Sequence, residues 1–432
     1  VIGSARLLIA RRRPRQSQQE SIGDWNHRRI ADPMVFWGRT RSRDGGPAPS
    51  SQPERGETVS SLPAPSPSPG AFAAGRLPQL DALRGAAALV VVLHHILLTL
   101  SPDSAPAQWL AAKGALGPLA LGRPAVVLFF VLSGFVLARS IQAVQTGWRT
   151  FALKRCARLL IPLWVALALS LLAHKIAPNA AISGVSLWFN EQWREPITFG
   201  EFGRNLLLLA GPRNYPLDHV AWSLVHEMRL SLLLPLILVI IARRGVALAL
   251  ALTLGLSCCA TCYASLYPDS FALGAPVPYL FDSESIGASL IVTARFLVDF
   301  VIGAAISKKF DVLASLRQKL VLRVLAPLAS LVLLWQSNEL VMALGAAGLV
   351  VSIGCWNAMD GALHVAPIRW LGRVSYSLYL IHMPVLLTFA HCLAESTAPP
   401  IAVLLALAAC MPLAELFHRC IESPAIRLSR SI

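Results

Sequence analysis

The sequence predicts an all-α polytopic membrane protein with about ten transmembrane helices and a disordered N-terminal tail. Three observations carry that expectation. Of the 432 residues, 55% are hydrophobic and 14% charged, and the mean hydropathy is +0.59; a soluble chain of this length needs far more charged surface. Apolar runs of 16 to 23 residues recur from Arg76 onward, close to the length a bilayer demands of a helix. Basic residues also fall on alternate connections between those runs, as the positive-inside rule requires.

Residues 1–75 differ from the rest. They run through Arg11-Arg12-Arg13-Pro14-Arg15 and end in SSLPAPSPSPGAFAAG. No helical or strand period is visible, and the composition favours disorder. The basic cluster is not followed by the apolar core of a signal peptide. Because the sequence opens on Val1, the native product is expected to begin later, at Met34 or beyond.

Spans are expected near 80–100, 123–141, 158–177, 220–241, 246–267, 286–307, 321–336, 339–356, 375–393 and 399–417, with 421–432 as a short tail. Placing the N-terminus inside makes 139–158, 242–245, 308–320, 357–374 and the stretch from 418 cytoplasmic. Those connections carry Arg139, Arg149, Lys154, Arg155, Arg158, Arg243, Arg244, Lys308, Lys309, Arg369 and Arg373. The opposite connections are richer in Asp and Glu, so both termini are expected in the cytoplasm. The one long outer connection, 178–219, holds Trp188, Trp193 and Tyr215. It reads equally as a cover over an acceptor site or as an interfacial segment with aromatic anchors.

The formal charge of +15 does not indicate nucleic acid. Residues 1–75 supply +5, and the other +10 lies mostly in short loops of the hydrophobic region. The eight cysteines show no disulfide spacing. Cys258-Cys259-x-x-Cys262 lacks partner ligands and reads as small polarisable filler, so no metal site is expected.

The chemistry begins in LDALRGAAALVVVLHHILLTL, residues 80–100. Ionisable groups inside a span are costly, so they pair, line a polar cavity or serve chemistry. Eleven helical steps separate Arg84 from His95, three turns plus roughly 20°, so the two share a face about 16 Å apart. His94 lies about 80° away. His95 is therefore the histidine expected to work with Arg84, and Asp81 lies a turn before it.

Arg155 and Arg158 have two readings: orientation signals, or an anion site in which guanidinium groups match phosphate. In Trp222-Ser223-Leu224-Val225-His226-Glu227-Met228-Arg229, three charges or imidazoles fall within four positions and demand partners. Glu227 is a candidate to orient a histidine and stabilise its protonated form. Arg295 and Asp299, at i and i+4, are expected to pair with each other. His382 precedes Met383-Pro384, where proline frees a backbone carbonyl.

Together these stretches resemble the acyltransferase 3 family of integral membrane O-acyltransferases. The likeness spans residues 77–427. It rests on LDALRGAAALVVVLHH (80–95), with the family's Arg-x10-His as Arg84 and His95; FFVLSGFVLAR (129–139); and KRCARLLIP (154–162), with Arg-x-x-Arg as Arg155 and Arg158. WSLVHEM (222–228), LGRVSYSLYLIHMP (371–384) and HRCIESP (418–424) follow in order. After Glu227 the family usually has aromatic residues, whereas this chain has Met228-Arg229-Leu230-Ser231.

The resemblance implies transfer of an acyl group, commonly acetyl from acetyl-CoA, to a carbohydrate hydroxyl such as that of a lipopolysaccharide or another cell-surface or exported polysaccharide. It implies acyl-CoA as donor substrate with no permanently bound cofactor, and a place in the bacterial inner (plasma) membrane. His95 and Glu227 are then the expected catalytic pair, and Arg84, Arg155 and Arg158 the donor-binding residues. Asp81, Trp222, Ser223 and His382 are expected to support the site. The acceptor could be attacked directly or through an acyl-His intermediate. The rival from another class is a transporter or flippase of a lipid-linked saccharide.

Overall fold

The structure, a computed structural model, describes residues 77–99, 122–144, 147–177, 180–209, 215–267, 285–315, 324–355 and 365–432. The tail 1–75, its expected start at or beyond Met34, and most of connections 101–122 and 268–285 lie outside them.

The described part is built of helices. α1 (Pro78–Thr99), α2 (Gly122–Val144) and α3 (Trp148–Ile176) precede two short ones, α4 (Leu187–Glu191) and α5 (Phe199–Leu206). α6 (Ala221–Arg244), α7 (Val246–Leu266), α8 (Ile286–Ser315), α9 (Ala326–Leu334), α10 (Glu339–Gly354), α11 (Ala366–Leu393) and α12 (Pro399–Phe417) follow. A π turn, His418–Glu422, leads into α13 (Ser423–Ser431). Among the described residues eight helices are long and apolar enough to cross a membrane: α1, α2, α3, α6, α7, α8, α11 and the run from α12 through α13.

The other two expected crossings are shorter. The nine residues of α9 rise about 14 Å and the sixteen of α10 about 24 Å, against a hydrocarbon core of about 30 Å. Asn338 fixes where α10 starts, its Oδ1 accepting from Leu340 N (3.0 Å) and Val341 N (3.3 Å). A Cβ on Gly345 would sit 2.7 Å from the Ser330 carbonyl oxygen, so α9 and α10 form a close hairpin.

Several helices outrun their hydropathy. α3 starts ten residues before its expected span, which places Lys154, Arg155 and Arg158 on a helix rather than in a loop. Hydropathy marks only the lipid-facing length, and Arg, Lys, Ala and Leu sustain a helix beyond it. α11 likewise begins at Ala366, with proline in its first turn, where a missing N–H costs nothing. Residues 421–432, expected as a tail, are helical and pack on α3, with Ser429 Oγ donating to the Lys154 carbonyl (3.0 Å). α6 turns into α7 through Gly245, whose φ of 91° suits glycine.

Two crossings set the bundle. α1 meets α11 backbone to backbone: a Cβ on Gly85 would lie 2.6 Å from Gly372 N, and one on Gly372 2.6 Å from the Asp81 carbonyl oxygen. α2 meets α8 in the same manner, Gly134 against Phe300 and Gly303 against Val131. Small residues let membrane helices approach this closely, where packing must replace the hydrophobic effect. Phe130 and Phe296 fill the space beside the second crossing, with ring centroids 4.8 Å apart.

Gly372→Leu is expected to cost about 1–3 kcal/mol or more by overpacking, read as a lower melting temperature of the purified protein. Gly255→Ala, where an added Cβ meets open space, is expected to leave the melting temperature unchanged.

Candidate active site

Segments of α1, α2, α3, α6, α11 and α13 enclose a cavity of about 650 Å³, within the range of small-molecule sites. Seven arginines line it: Arg84 from α1, Arg139 from α2, Arg155 and Arg158 from α3, Arg373 from α11, and Arg427 and Arg430 from α13. Against them stand Asp81, Glu227 and Glu422. Phe129, Ser223 and Tyr379 also line it.

The inner arginines are held differently. Arg155 is buried and ion-paired with Glu227, and its Nε donates to Ser231 Oγ (3.1 Å). Ser133 Oγ donates to the same Glu227 carboxylate (2.9 Å), and Ser231 Oγ donates to the Glu227 carbonyl (2.5 Å). These added hydrogen bonds offset part of the cost of burying the pair in a low-dielectric interior. Arg84 and Arg158 make no ion pair among the described residues, and Arg158 lies within electrostatic reach of Arg84 and Arg155 on one side of the balance and of Glu422 and Glu227 on the other. Three guanidinium groups with one direct carboxylate partner leave the cavity suited to an anion.

A second cluster sits beyond Tyr379. His382 Nδ1 lies 2.8 Å from the Tyr379 carbonyl and 3.1 Å from that of Leu378. Facing two acceptors, it carries the proton, and in neutral His382 this leaves Nε2 as an acceptor. That Nε2 is 3.2 Å from His95 Nδ1, which is also 2.9 Å from the Val91 carbonyl. His95 Nδ1 therefore faces two acceptors and is the donor. The hydrogen-bond network thus assigns the lone pair of His95 to Nε2. An imidazole with one nitrogen tied down and the other free is the form a general base requires.

The connection between α3 and α6 covers this cluster. Ser186 donates through N to the Thr99 carbonyl (2.9 Å) and through Oγ to that of Leu98 (2.5 Å), capping the end of α1. Trp188 stacks on His95 at 5.9 Å between ring centroids, and His219 lies edge-on to both, 6.4 Å from His95 and 5.4 Å from Trp188. Trp193 and Tyr215 are buried rather than presented as interfacial anchors. Among the described residues, the three non-glycine residues with positive φ all lie in this connection: Trp193 (55°), Leu208 (55°) and Tyr215 (47°). Such strain is held only where surrounding packing over-determines it. Burial pushes the Asp218 carboxyl, just before α6, well above the usual carboxylate range, against an opposing pull from the Val220 backbone N–H.

The structure brings some expected residues together and separates others. Arg84, Asp81, Arg155, Arg158, Ser223 and Glu227 share the cavity, and His95 joins His382 beyond it. Glu227 does not meet His95; it holds Arg155, because it lies more than two turns along α6 from His219, the α6-proximal residue that faces His95. Ser223 bonds Tyr379 (2.7 Å), while Trp222 packs between His226 and Phe296. Arg295 pairs with Glu339 of α10 rather than with Asp299, whose carboxylate oxygens accept no hydrogen bond. A residue on a neighbouring helix can approach end-on, whereas an i+4 neighbour on the same helix cannot always do so. His94 faces Gly122 at the start of α2, off the His95 face as its helical phase requires. His219, Tyr379 and Ser133 were not singled out from the sequence, although Ser133 and Tyr379 lie inside the quoted motifs; Trp188 was named only as part of the long outer connection.

The described residues thus form a helical membrane bundle with an arginine-lined cavity and, beyond Tyr379, a histidine whose Nε2 carries the lone pair. The chain belongs to the acyltransferase 3 family, whose acyltransferase domain matches residues 77–419. It is a multi-pass membrane acyltransferase. No curated protein and no solved structure matches the chain.

Glu227→Gln leaves Arg155 buried beside a neutral amide. The expected cost is about 3–5 kcal/mol, measured as a lower melting temperature in detergent, whereas His95→Gln is expected to melt near the wild-type temperature. A Glu227→Gln protein that melts normally but has lost activity would return Glu227 to a chemical role.

Proposed function

We propose that the protein transfers an acyl group, acetyl in the simplest case, from acyl-CoA to a hydroxyl of a carbohydrate destined for the cell surface or export. The observation that carries this is the joining of two unlike environments along α1 and α11. One end is rich in arginine and suits the phosphates of CoA; the other presents His95 with Nε2 free. We take that end, and both termini, to lie in the cytoplasm of a bacterial inner membrane, a reading supported by the excess of basic residues on the connections there. Acyl-CoA is available there. The His95 end then faces the outer half of the bilayer, beneath the Trp188 connection.

In this reading Arg84, Arg155 and Arg158 hold the donor, and Asp81 and Glu227 set the positions of guanidinium groups. His95 Nε2 takes the proton from the acceptor hydroxyl as its oxygen attacks the thioester carbonyl. The C–S bond breaks, the thiolate leaves with CoA, and the imidazolium returns its proton to that sulfur. His382 acts through His95, holding the tautomer and the ring in place, much as a third group orients the base in hydrolase triads. In this reading the thioester passes Ser223 and Tyr379, which line the cavity and are hydrogen-bonded to each other.

Membranes incubated with labelled acetyl-CoA and candidate glycans are expected to yield alkali-labile label on the glycan. Movement of a lipid-linked saccharide without label transfer would overturn this in favour of a transporter. His95→Ala is expected to lower the rate about 10²–10⁴-fold, and His382→Ala about 10- to 100-fold through misplacement of the base. For Arg84→Lys the expected change is a rise of about tenfold in the donor KM, because a point charge replaces a bidentate fork; normal transfer by His95→Ala at wild-type expression would remove His95 from the chemistry.

A further inference from the structure

Beyond the matched domain, which ends at residue 419, α13 still contributes to the cavity. Its attachment is specific. Ser377 Oγ donates to Glu422 (2.6 Å), His418 Nδ1 bonds the same carboxylate (2.9 Å), and Ser429 Oγ bonds α3. The π turn between α12 and α13 inserts extra backbone into the helix and so resets which side chains face the cavity, a device common at functional sites. Arg427 and Arg430, three residues apart and hence neighbours on one face, line the cavity and are exposed. Arg427 donates only within its own helix, to Ser423 Oγ (3.1 Å), and Arg430 makes no ion pair among the described residues.

The cavity therefore has two basic layers: an inner one on α1 and α3, and an outer rim on α13. Two layers match a ligand with two separated anionic groups. The nucleotide end of CoA is such a ligand, with a diphosphate on one side of its ribose and a phosphomonoester on the other. If the thioester points toward His95, the nucleotide stays at the rim.

We propose that α13 is the nucleotide-recognition element of the donor site, with Arg427 and Arg430 taking the 3′-phosphate and Arg84 and Arg158 the diphosphate. This rests on the acyl-CoA reading above. The outer arginines are binding residues and take no part in the chemistry.

The test is calorimetric titration of the purified full-length protein with CoA and with 3′-dephospho-CoA. Wild type is expected to bind CoA about tenfold more tightly than dephospho-CoA. Arg427→Gln/Arg430→Gln is expected to bind both with the weaker affinity, while eluting as wild type on size exclusion. Arg243→Gln/Arg244→Gln, which removes two charges at the end of α6 outside the cavity, is expected to keep the preference. Equal binding of the two compounds by wild type, or an intact preference in the α13 variant, overturns the proposal and leaves CoA as the donor. Equal binding combined with stabilisation of wild type but not the variant by phosphatidylglycerol assigns the rim to a lipid headgroup instead. Failure of wild type to bind either compound removes the acyl-CoA reading, and this proposal with it.

Discussion

The contact between Gly85 and Gly372 sets the geometry of both halves of the site. Ten residues beyond Gly85 on α1 is His95, and ten residues beyond Gly372 on α11 is His382, so the two helices run parallel and in register for about 15 Å. At one end the crossing brings Asp81 and Arg84 beside Arg373; at the other it leaves the two imidazoles 3.2 Å apart. A side chain larger than hydrogen at either glycine would push the helices apart by more than that hydrogen bond tolerates. Backbone contact at one level is what permits side-chain chemistry at another.

Charge inside the bilayer imposes the second constraint. Arg155 is accommodated by a carboxylate and two serines drawn from α2 and α6, and Arg295 by Glu339 of α10, which also lies 3.4 Å from Arg123. In each case the partners come from different helices. These pairs thus tie the bundle laterally, where apolar faces alone gain little by leaving lipid. The same arrangement explains why Arg84 and Arg158 stand out. They line the cavity without a direct ion pair among the described residues, although Glu422 and Glu227 lie within electrostatic reach of Arg158, and cations so placed can accept an anionic ligand.

Composition and the spacing of apolar runs were enough to read the helical membrane class, since bilayer thickness writes itself directly into span length. Helix ends were less legible. Nothing in hydropathy distinguishes a basic loop from a basic helical extension, so Arg155 and Arg158 looked like loop charges although they sit on α3. Phase along α1 correctly separated His95 from His94, because both lie on one uninterrupted helix. Pairings between helices were not readable. Glu227 looked like a partner for a histidine and Arg295 like a partner for Asp299, because sequence proximity stands in poorly for contacts that α2, α3 and α10 supply from far away in the chain. The π turn escaped notice altogether, although HRCIESP marks its position.

The remaining link is between the two halves of the site. Tyr379 hydrogen-bonds Ser223, packs edge-on against Phe129 at 5.7 Å and lies 6.0 Å from the His382 ring. It thus touches both the lining of the basic cavity and the residue hydrogen-bonded to His95. Ser223 stands in the first turn of α6, one turn before Glu227, so the same helix that anchors Arg155 also makes the bond to Tyr379. Occupation of the arginines by an anionic donor would act on α3 and, through the Arg155–Glu227 pair, on α6. The Ser223–Tyr379 bond between α6 and α11 is therefore mechanically connected to the arginine-lined cavity.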